Sequence, residues 1–448
     1  MVQPKDIDNS LEFLRWFERY TEPYHLADRA YEAMEKDRTR LDLNSVELTH
    51  ADFKALAQME PLAQLKHLSL SHTRMDNEGL SFLVASSFLS RLESIDIRGN
   101  NVGDEGLFFL ARSPVFSNLE ELDASENEIG AIGCKALAAS QSLTKLKKLN
   151  LSHNRLELFG VKALAKAGFM KNLKCLRLAD TSMGDDGVAA FAGSVDALKL
   201  ETLDLTGNGI TARGMAALAE SEGLGGVRSL CLDDNHIGDE GLSSLVEARA
   251  LGKIEELYLQ CADLTADSAI KLAGSSLELK VLVVSNNDLR KEGARALGKM
   301  MASQLLIRLD LSENGLGPEG ARALAECPAF SNLKILHLCS NNLTDEGVIA
   351  LAESKTLTQL EELVLDCDNW IHAEGARAIA ESEALAGLKI LTLALNRIGD
   401  EGAIHLANSR KLSSLISLNV AGNGLSPLGD TALGESEMLT NLKNLEIV

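Results

Sequence analysis

One phrase, apolar-x-x-apolar-x-apolar-x-x-Asn, returns along this chain of 448 residues with almost no drift. The first residue of its central apolar pair falls at Leu41, Leu68, Ile95, Leu122, Leu149, Leu176, Leu203, Leu230 and Leu257. It recurs at Leu282, Leu309, Leu336, Leu363, Leu391, Leu418 and Leu445. Thirteen of the fifteen steps are 27 residues; the step after Leu257 is 25 and the step after Leu363 is 28. So strict a period leaves few folds open. Each unit is too short to bury an apolar face alone, so neighbours must stack into one continuous core.

The parts of the phrase divide the work. Alternation in LxL puts two apolar residues on one face of a short strand. Asn at the end of the phrase (Asn100, Asn154 and Asn208, for example) suits a buried turn. An amide both donates to and accepts from backbone groups that would otherwise be orphaned. Six residues later comes Gly, from Gly79 to Gly429, except at Ser268. A side chain there would obstruct the helix start or its approach to the next unit. A helical stripe follows, as in Ala321, Leu324 and Ala325 of GARALAE. Phrases such as GDEG and TDEG (Asp104, Asp239, Asp345, Asp400) place acids at helix starts, where they cap free N–H groups and face the positive dipole end.

One strand and one helix per unit must curve, because strands stack about 4.8 Å apart and helices about 8–10 Å apart. The sequence therefore predicts an α/β solenoid over residues 41–448. It is expected to be a horseshoe with a concave parallel β-sheet and convex α-helices, built from about 15–16 repeats. Residues 1–40 lack the phrase and hold 6 of the 18 aromatic residues. There LEFLRWFERY and HLADRAYEAMEKD read as two amphipathic helices, a helical N-terminal cap over the first strand. The last strand, LKNLEIV, ends at Val448 with an unpaired edge, which makes a homodimer through that edge an alternative assembly.

The period and the helical segments carry the leucine-rich repeat signature. The phrases NNVGDEGLFFLA, NNLTDEGVIALAE and NRIGDEGAIHLA resemble the ribonuclease-inhibitor-like class, and the resemblance covers residues 41–448. It is a resemblance to the class. The inhibitor itself alternates two repeat types and often has Cys at the Asn position, whereas this chain has one type and never Cys there. The class implies a curved surface that binds other proteins. Its members include enzyme inhibitors, Ran GTPase-activating proteins, actin-filament pointed-end cappers and innate-immune sensors, and the fold does not choose among them.

Net charge is −21. That opposes binding to nucleic acid, which needs clustered Lys and Arg, and to an anionic membrane surface. A basic protein partner is the expectation left open. Seven cysteines without a CxxC pair point to reduced thiols and a cytoplasmic protein. The N-terminus, MVQPKDIDNS, has neither a basic n-region nor an apolar h-region, so no signal peptide is expected. No GxxxxGK[ST], GxSxG or HExxH occurs, so a non-enzymatic chain without cofactor or metal is expected. Gly315, Gly317 and Gly320 form GxGxxG, but as a by-product of the repeat, since the same columns read NNVGDEG at 100–106.

Candidate binding residues come from the columns beside the core Leu pair. In the first half they are mostly acidic, with Asp96, Asp123 and Asp204 interrupted by Arg98 and Arg177. Like charges on adjacent strands repel, so a basic partner is one reason to keep them. Further on, Asp233, Tyr258, Val283, His337, Val364 and Asp366 follow, with apolar Val281 and Ile335 beside them. Exposed apolar clusters mark contact sites. His337, Cys339, Asp310 and Asp366 also fall on consecutive strands.

Both register breaks lie in this second stretch. Near residue 262 the repeat has Ala262 for Asn and Ser268 for Gly. In LVLDCDNWIHAEG (363–375), Asp368 is read at the Asn position, and either Trp370 or Ile371 fills the core slot. Local rule-breaking in an otherwise consistent array is where function is expected. The reading leans to a rim contact at Trp370. The predicted role is a protein-binding module, with a regulator of an enzyme (GTPase-activating or inhibitory) and a self-assembling scaffold as the alternatives.

Overall fold

The computed structural model describes residues 37–194, 198–300 and 305–447. Almost all of the expected helical cap at 1–40 lies outside the described residues. The chain divides into two compact units: Met1–Gly209 with Ser221–Val227, and Ile210–Glu220 with Arg228–Val448.

The first unit contains β1 (Arg40–Asp42), β2 (His67–Ser69), β3 (Ser94–Asp96), β4 (Glu121–Asp123), β5 (Lys148–Asn150), β6 (Cys175–Arg177) and β7 (Thr202–Asp204). Each is parallel to the next, with Leu41, Leu68, Ile95, Leu122, Leu149, Leu176 and Leu203 in register. The second unit contains β8 (Ser229–Cys231), β9 (Glu256–Tyr258), β10 (Val281–Val283), β11 (Arg308–Asp310), β12 (Ile335–His337), β13 (Glu362–Val364), β14 (Ile390–Thr392), β15 (Ser417–Asn419) and β16 (Asn444–Glu446). These too are parallel in chain order. In nearly every strand the middle residue is buried and its two neighbours are partly open, so each sheet has one face in the core and one free. Short helices such as Asp104–Arg112 and Gly317–Ala325 follow the strands and close the other side of the core. This is an α/β solenoid, as the period requires.

The Asn column does what an amide can do. Asn100 Nδ2 donates to the carbonyls of Leu70 (2.8 Å), Ile97 (2.9 Å) and Arg98 (3.1 Å). Its Oδ1 accepts from the N–H groups of Thr73 (3.1 Å) and Met75 (2.8 Å). One buried side chain therefore satisfies five backbone groups on two repeats.

The helix-start acids act differently from expectation. Asp104 Oδ1 accepts from the N–H groups of Gly130 and Gly133, both at 2.7 Å, which belong to the following helix and not its own. Asp345 does the same for His372 and Gly375, and Asp400 for Ser426 and Gly429. This explains the Gly column. A Cβ on Gly133 would lie 2.7 Å from Asp104 Oδ1, and one on Gly429 2.6 Å from Asp400 Oδ1. At these positions the obstruction comes from the preceding repeat; at Gly187, Gly293, Gly320 and Gly402 it comes from the side chain four residues earlier, with Met183 Cβ 2.6 Å from a Cβ on Gly187. Ser268, the exception, is fully buried and turns the conflict into a bond, its Oγ donating to Asp239. Helix C-termini are tied in the opposite direction. Ser113 Oγ reaches Val84 O (2.6 Å) and Ser354 Oγ reaches Ala325 O (2.6 Å), so the next repeat covers the orphan carbonyls.

Candidate binding face

The free sheet face of the first unit brings four of the predicted residues onto strands in register. Asp96 lies opposite Asp123, Asn150 separates Asp123 from Arg177, and Arg177 lies opposite Asp204. The acids are not simply open charge. Asp96 Oδ1 accepts from Arg98 N (2.9 Å), Asp123 Oδ1 from Ser125 N (3.0 Å), and Asp204 Oδ1 from Thr206 N (3.1 Å). This i to i+2 bond is an Asx turn that ends the strand. Asn150 and Asn419 make it with Ser152 and Ala421, so the column wants Asp or Asn for the turn before it wants charge. Asp123 also accepts from Asn150 Nδ2 (2.9 Å), which relieves crowding between adjacent strands. Arg98 pairs with Glu126 at 2.8 Å, and Arg177 is exposed.

The second unit's face is built otherwise. Cys231, Tyr258, Val283, Asp310, His337 and Val364 occupy one row across successive strands, and Glu256, Val281, Arg308, Ile335 and Glu362 occupy the row beside it. Tyr258, Val281, Ile335 and Val364 are half-buried. Val283 departs from the expectation of an exposed contact: set between Tyr258 and Asp310, it is only 6% exposed. Burial, with Glu256 adding to it, pushes the Tyr258 phenol above its ordinary pKa. Asp233 accepts from Gln260 N (2.6 Å).

His337 is held from both sides. Its Nε2 lies 2.7 Å from Glu362 Oε1 and its Nδ1 3.4 Å from Asp310 Oδ2. Burial acts to lower the imidazole pKa; the hydrogen bonds to Asp310 and Glu362 outweigh it and hold it above its ordinary value. Burial likewise acts to raise Asp310, but bonds from His337 and Ser312 hold it low. Of the cluster read from the sequence, Asp310 does reach His337, but Glu362 takes the other nitrogen. Asp366 instead accepts from Ala394 N (2.7 Å), and burial raises its pKa. Burial pushes the Cys339 thiol up to about 11, which favours its protonated form. Among the described residues no group of three or more His, Cys, Asp or Glu could hold a metal ion.

In the stretch 363–375 the repeat is set one residue later than its spacing predicts. Asn369, not Asp368, holds the Asn position: its Nδ2 reaches Leu338 O (2.8 Å) and Leu365 O (3.1 Å), and its Oδ1 accepts from Asn341 N (3.0 Å). The extra residue is absorbed before it. Ser340 N is shared between Asp366 O and Cys367 O, and Cys367 and Asp368 both have positive φ. Ile371 fills the core slot, fully buried, and Trp370 sits on the rim at 39% exposure. Trp370 Nε1 donates to Asn342 Oδ1 (3.0 Å), and the Arg397 guanidinium lies 4.1 Å from the ring centroid.

One feature escaped the sequence reading. The residue just ahead of most strands forms ion pairs across repeats: Lys66 with Glu93 (2.8 Å), Glu120 with Lys147 (2.7 Å), and Glu361 with both Lys334 (2.7 Å) and Lys389 (2.5 Å). The two lysines draw Glu361 down to about 2. The signal was a column of alternating charge beside the one that was read. Exposed pairs of this kind contribute little individually.

A family model described as Leucine Rich repeat matches residues 64–84, 90–111, 117–138, 142–165, 169–192, 198–219, 227–246, 278–298, 302–325, 331–352 and 388–407, more than half of the chain. The chain belongs to the leucine-rich repeat family. The unmatched stretches 247–277 and 353–387 contain the two register breaks. Among solved structures, the chain is similar to TLR13 in its complex with ssRNA13, at 20% identity and TM-score 0.47, over 87% of this chain and 53% of that one. It thus spans about half the length of that protein. It is also similar to an internalin (inlF) of Listeria monocytogenes, at 18% identity and TM-score 0.45, over 96% and 97% of the two chains. A TDR receptor is similar at 18% identity and TM-score 0.41, over 90% and 67%. No curated protein matches the sequence. No helix among the described residues is long and apolar enough to cross a membrane.

Proposed function

We propose that this leucine-rich repeat chain is a non-catalytic protein-binding module whose partner docks on the free sheet face of the second unit. The observation that supports it is two half-open apolar pairs, Tyr258 with Val281 and Ile335 with Val364, separated by Arg308 and Asp310 and flanked by Asp233, Glu256, Glu362 and Asp366. An aromatic and β-branched centre gives anchoring area, and a carboxylate surround selects a partner with Lys or Arg at its edge. Seven free cysteines suit a reducing compartment such as the cytoplasm.

The test is capture of partners from source lysate with three proteins: the wild type, Tyr258→Ser/Val364→Asp, and Asp96→Asn/Asp123→Asn/Asp204→Asn. The amide variant keeps every Asx turn. We expect the captured partner to be basic, to be lost from the Tyr258/Val364 variant by about ten-fold or more, and to be kept by the amide variant. Retention by the first and loss from the second would move the site to the first unit.

A further inference from the structure

The first unit carries a second surface, on its helical side, that the sheet-face reading does not use. Just before the column Gly, most repeats place two acids or an acid and its neighbour: Asp104-Glu105, Asp185-Asp186, Asp239-Glu240, Asp400-Glu401. Ala212-Arg213 and Pro427-Leu428 break this singly, and two consecutive repeats break it together. They have Ala131-Ile132 and Leu158-Phe159 in the first turns of the helices Ala131–Ala138 and Glu157–Leu164. Ile132 is 72% exposed and Phe159 70%. On the preceding helix Phe108 is also exposed, with the Arg112 guanidinium 5.1 Å from its ring centroid.

A first helical turn favours carboxylates through its dipole. Losing the Asp also removes the cross-repeat cap, and the helices Glu157–Leu164 and Gly184–Ala192 begin without a side-chain cap. A lone exposed apolar residue is ordinary, but neighbours in the same column of adjacent repeats make a patch. One turn further along the same two helices lie Lys135 and Lys162, both exposed and without an ion pair among the described residues. Lys135 and Lys162 thus put positive charge beside the apolar pair on a chain of net charge −21, with exposed Glu105 and Asp186 on the flanking repeats of the same column. That overall charge opposes an anionic bilayer.

We infer that Phe108, Ile132 and Phe159, with Arg112, Lys135 and Lys162, form a docking surface for a protein segment whose apolar stripe is flanked by carboxylates. It is independent of the sheet face.

The probes are two synthetic amphipathic helical peptides with the same Leu stripe, one flanked by Glu and one by Lys, titrated by fluorescence anisotropy at low and moderate salt. Ile132→Glu/Phe159→Glu restores the acid found in this column elsewhere, so its unfolding midpoint should hold or rise. The Glu-flanked peptide should bind about ten-fold more tightly than the Lys-flanked one, weaken with salt, and lose about ten-fold in the Ile132/Phe159 variant. Lys135→Glu/Lys162→Glu should reverse the preference. Equal binding or no binding of the two peptides overturns the inference. So does loss in the Tyr258→Ser/Val364→Asp variant instead, which would place the peptide on the sheet face. Vesicles of phosphatidylcholine and phosphatidylserine in roughly 7:3 ratio, if bound by the wild type and released by Ile132→Glu/Phe159→Glu, would assign the patch to a bilayer. A concentration-dependent dimer abolished by the same variant would assign it to a second copy.

Discussion

The two units use the same three-residue strand and the same register, yet their free faces spend polar groups in different ways. In the first unit Asp96, Asp123 and Asp204 each bond the backbone two residues on, so each carboxylate closes its own turn. In the second unit Asp310 closes the same turn through Ser312 N, but the imidazole of His337 also bridges β11 and β13 through Asp310 and Glu362, and apolar Ile335 and Val364 lie beside it. Charge in a column is therefore weak grounds for a binding site when the same residue type is wanted by a turn. Cross-strand polar links beside open apolar side chains are harder to explain as scaffold. The free face of the second unit carries the proposal for that reason.

The largest effect should come from the Asn column, because removing one side chain there strands backbone groups on two repeats. Asn100→Ala in the first unit and Asn369→Ala in the second should each cost about 3 kcal/mol, read from urea denaturation. Asp368→Ala should change stability by about 0.5 kcal/mol or less. A costly Asp368→Ala with a mild Asn369→Ala would restore the original register and break the equivalence of the two units at this position.

That pair of residues also shows where reading the sequence stopped. Strand, Asn and Gly columns follow from period and chemistry, and the solenoid with them. Asp368 and Asn369 are adjacent, and one inserted residue can be placed before either; only the bonds to Leu338 and Asn341 decide. Asp104 was rightly read as a helix cap, but its target is the next helix, because a cross-repeat bond has no signature in the spacing within a repeat. Val283 looked like Val364 in its column, yet it is buried where Val364 is half-open. Column membership fixes which way a side chain points and not how much its neighbours cover it. Ile132 and Phe159 were legible as departures from the acid column, but their exposure was not.

A smaller effect separates the faces by pH. His337 has a folded pKa above its unfolded value, so its contribution is fully present below about pH 6.5 and is lost as pH rises through the folded value. Asp310 has the opposite sign: its contribution is present above about pH 4 and is lost as pH falls through its lowered folded value. His337→Gln should thus cost about 1.5 kcal/mol near pH 6, as a charge-assisted bond would, and progressively less as pH is raised. A cost that stays flat from pH 6 to about 9 would mean that the imidazole acts by shape alone. The contrast with the turn-bound acids of the first unit would then rest on the apolar residues only.

The smallest effect tests whether the second face reaches its rim. Arg397 lies over Trp370 at the solvent-facing rim, a contact worth about 0.5 kcal/mol, so Arg397→Gln should barely move the unfolding midpoint. In a Trp16→Phe background it should make Trp370 more accessible to acrylamide. The same variant is informative for binding because the Asn342 bond, the buried Ile371 and the Asn369 turn stay in place. If partner capture falls with Arg397→Gln while stability holds, the Trp370 ring is a contact whose tilt Arg397 sets, and the inserted residue at 366–368 serves to present it. If capture is unchanged, the insertion is tolerated by the array without being used, and the binding face of the second unit ends at Val364.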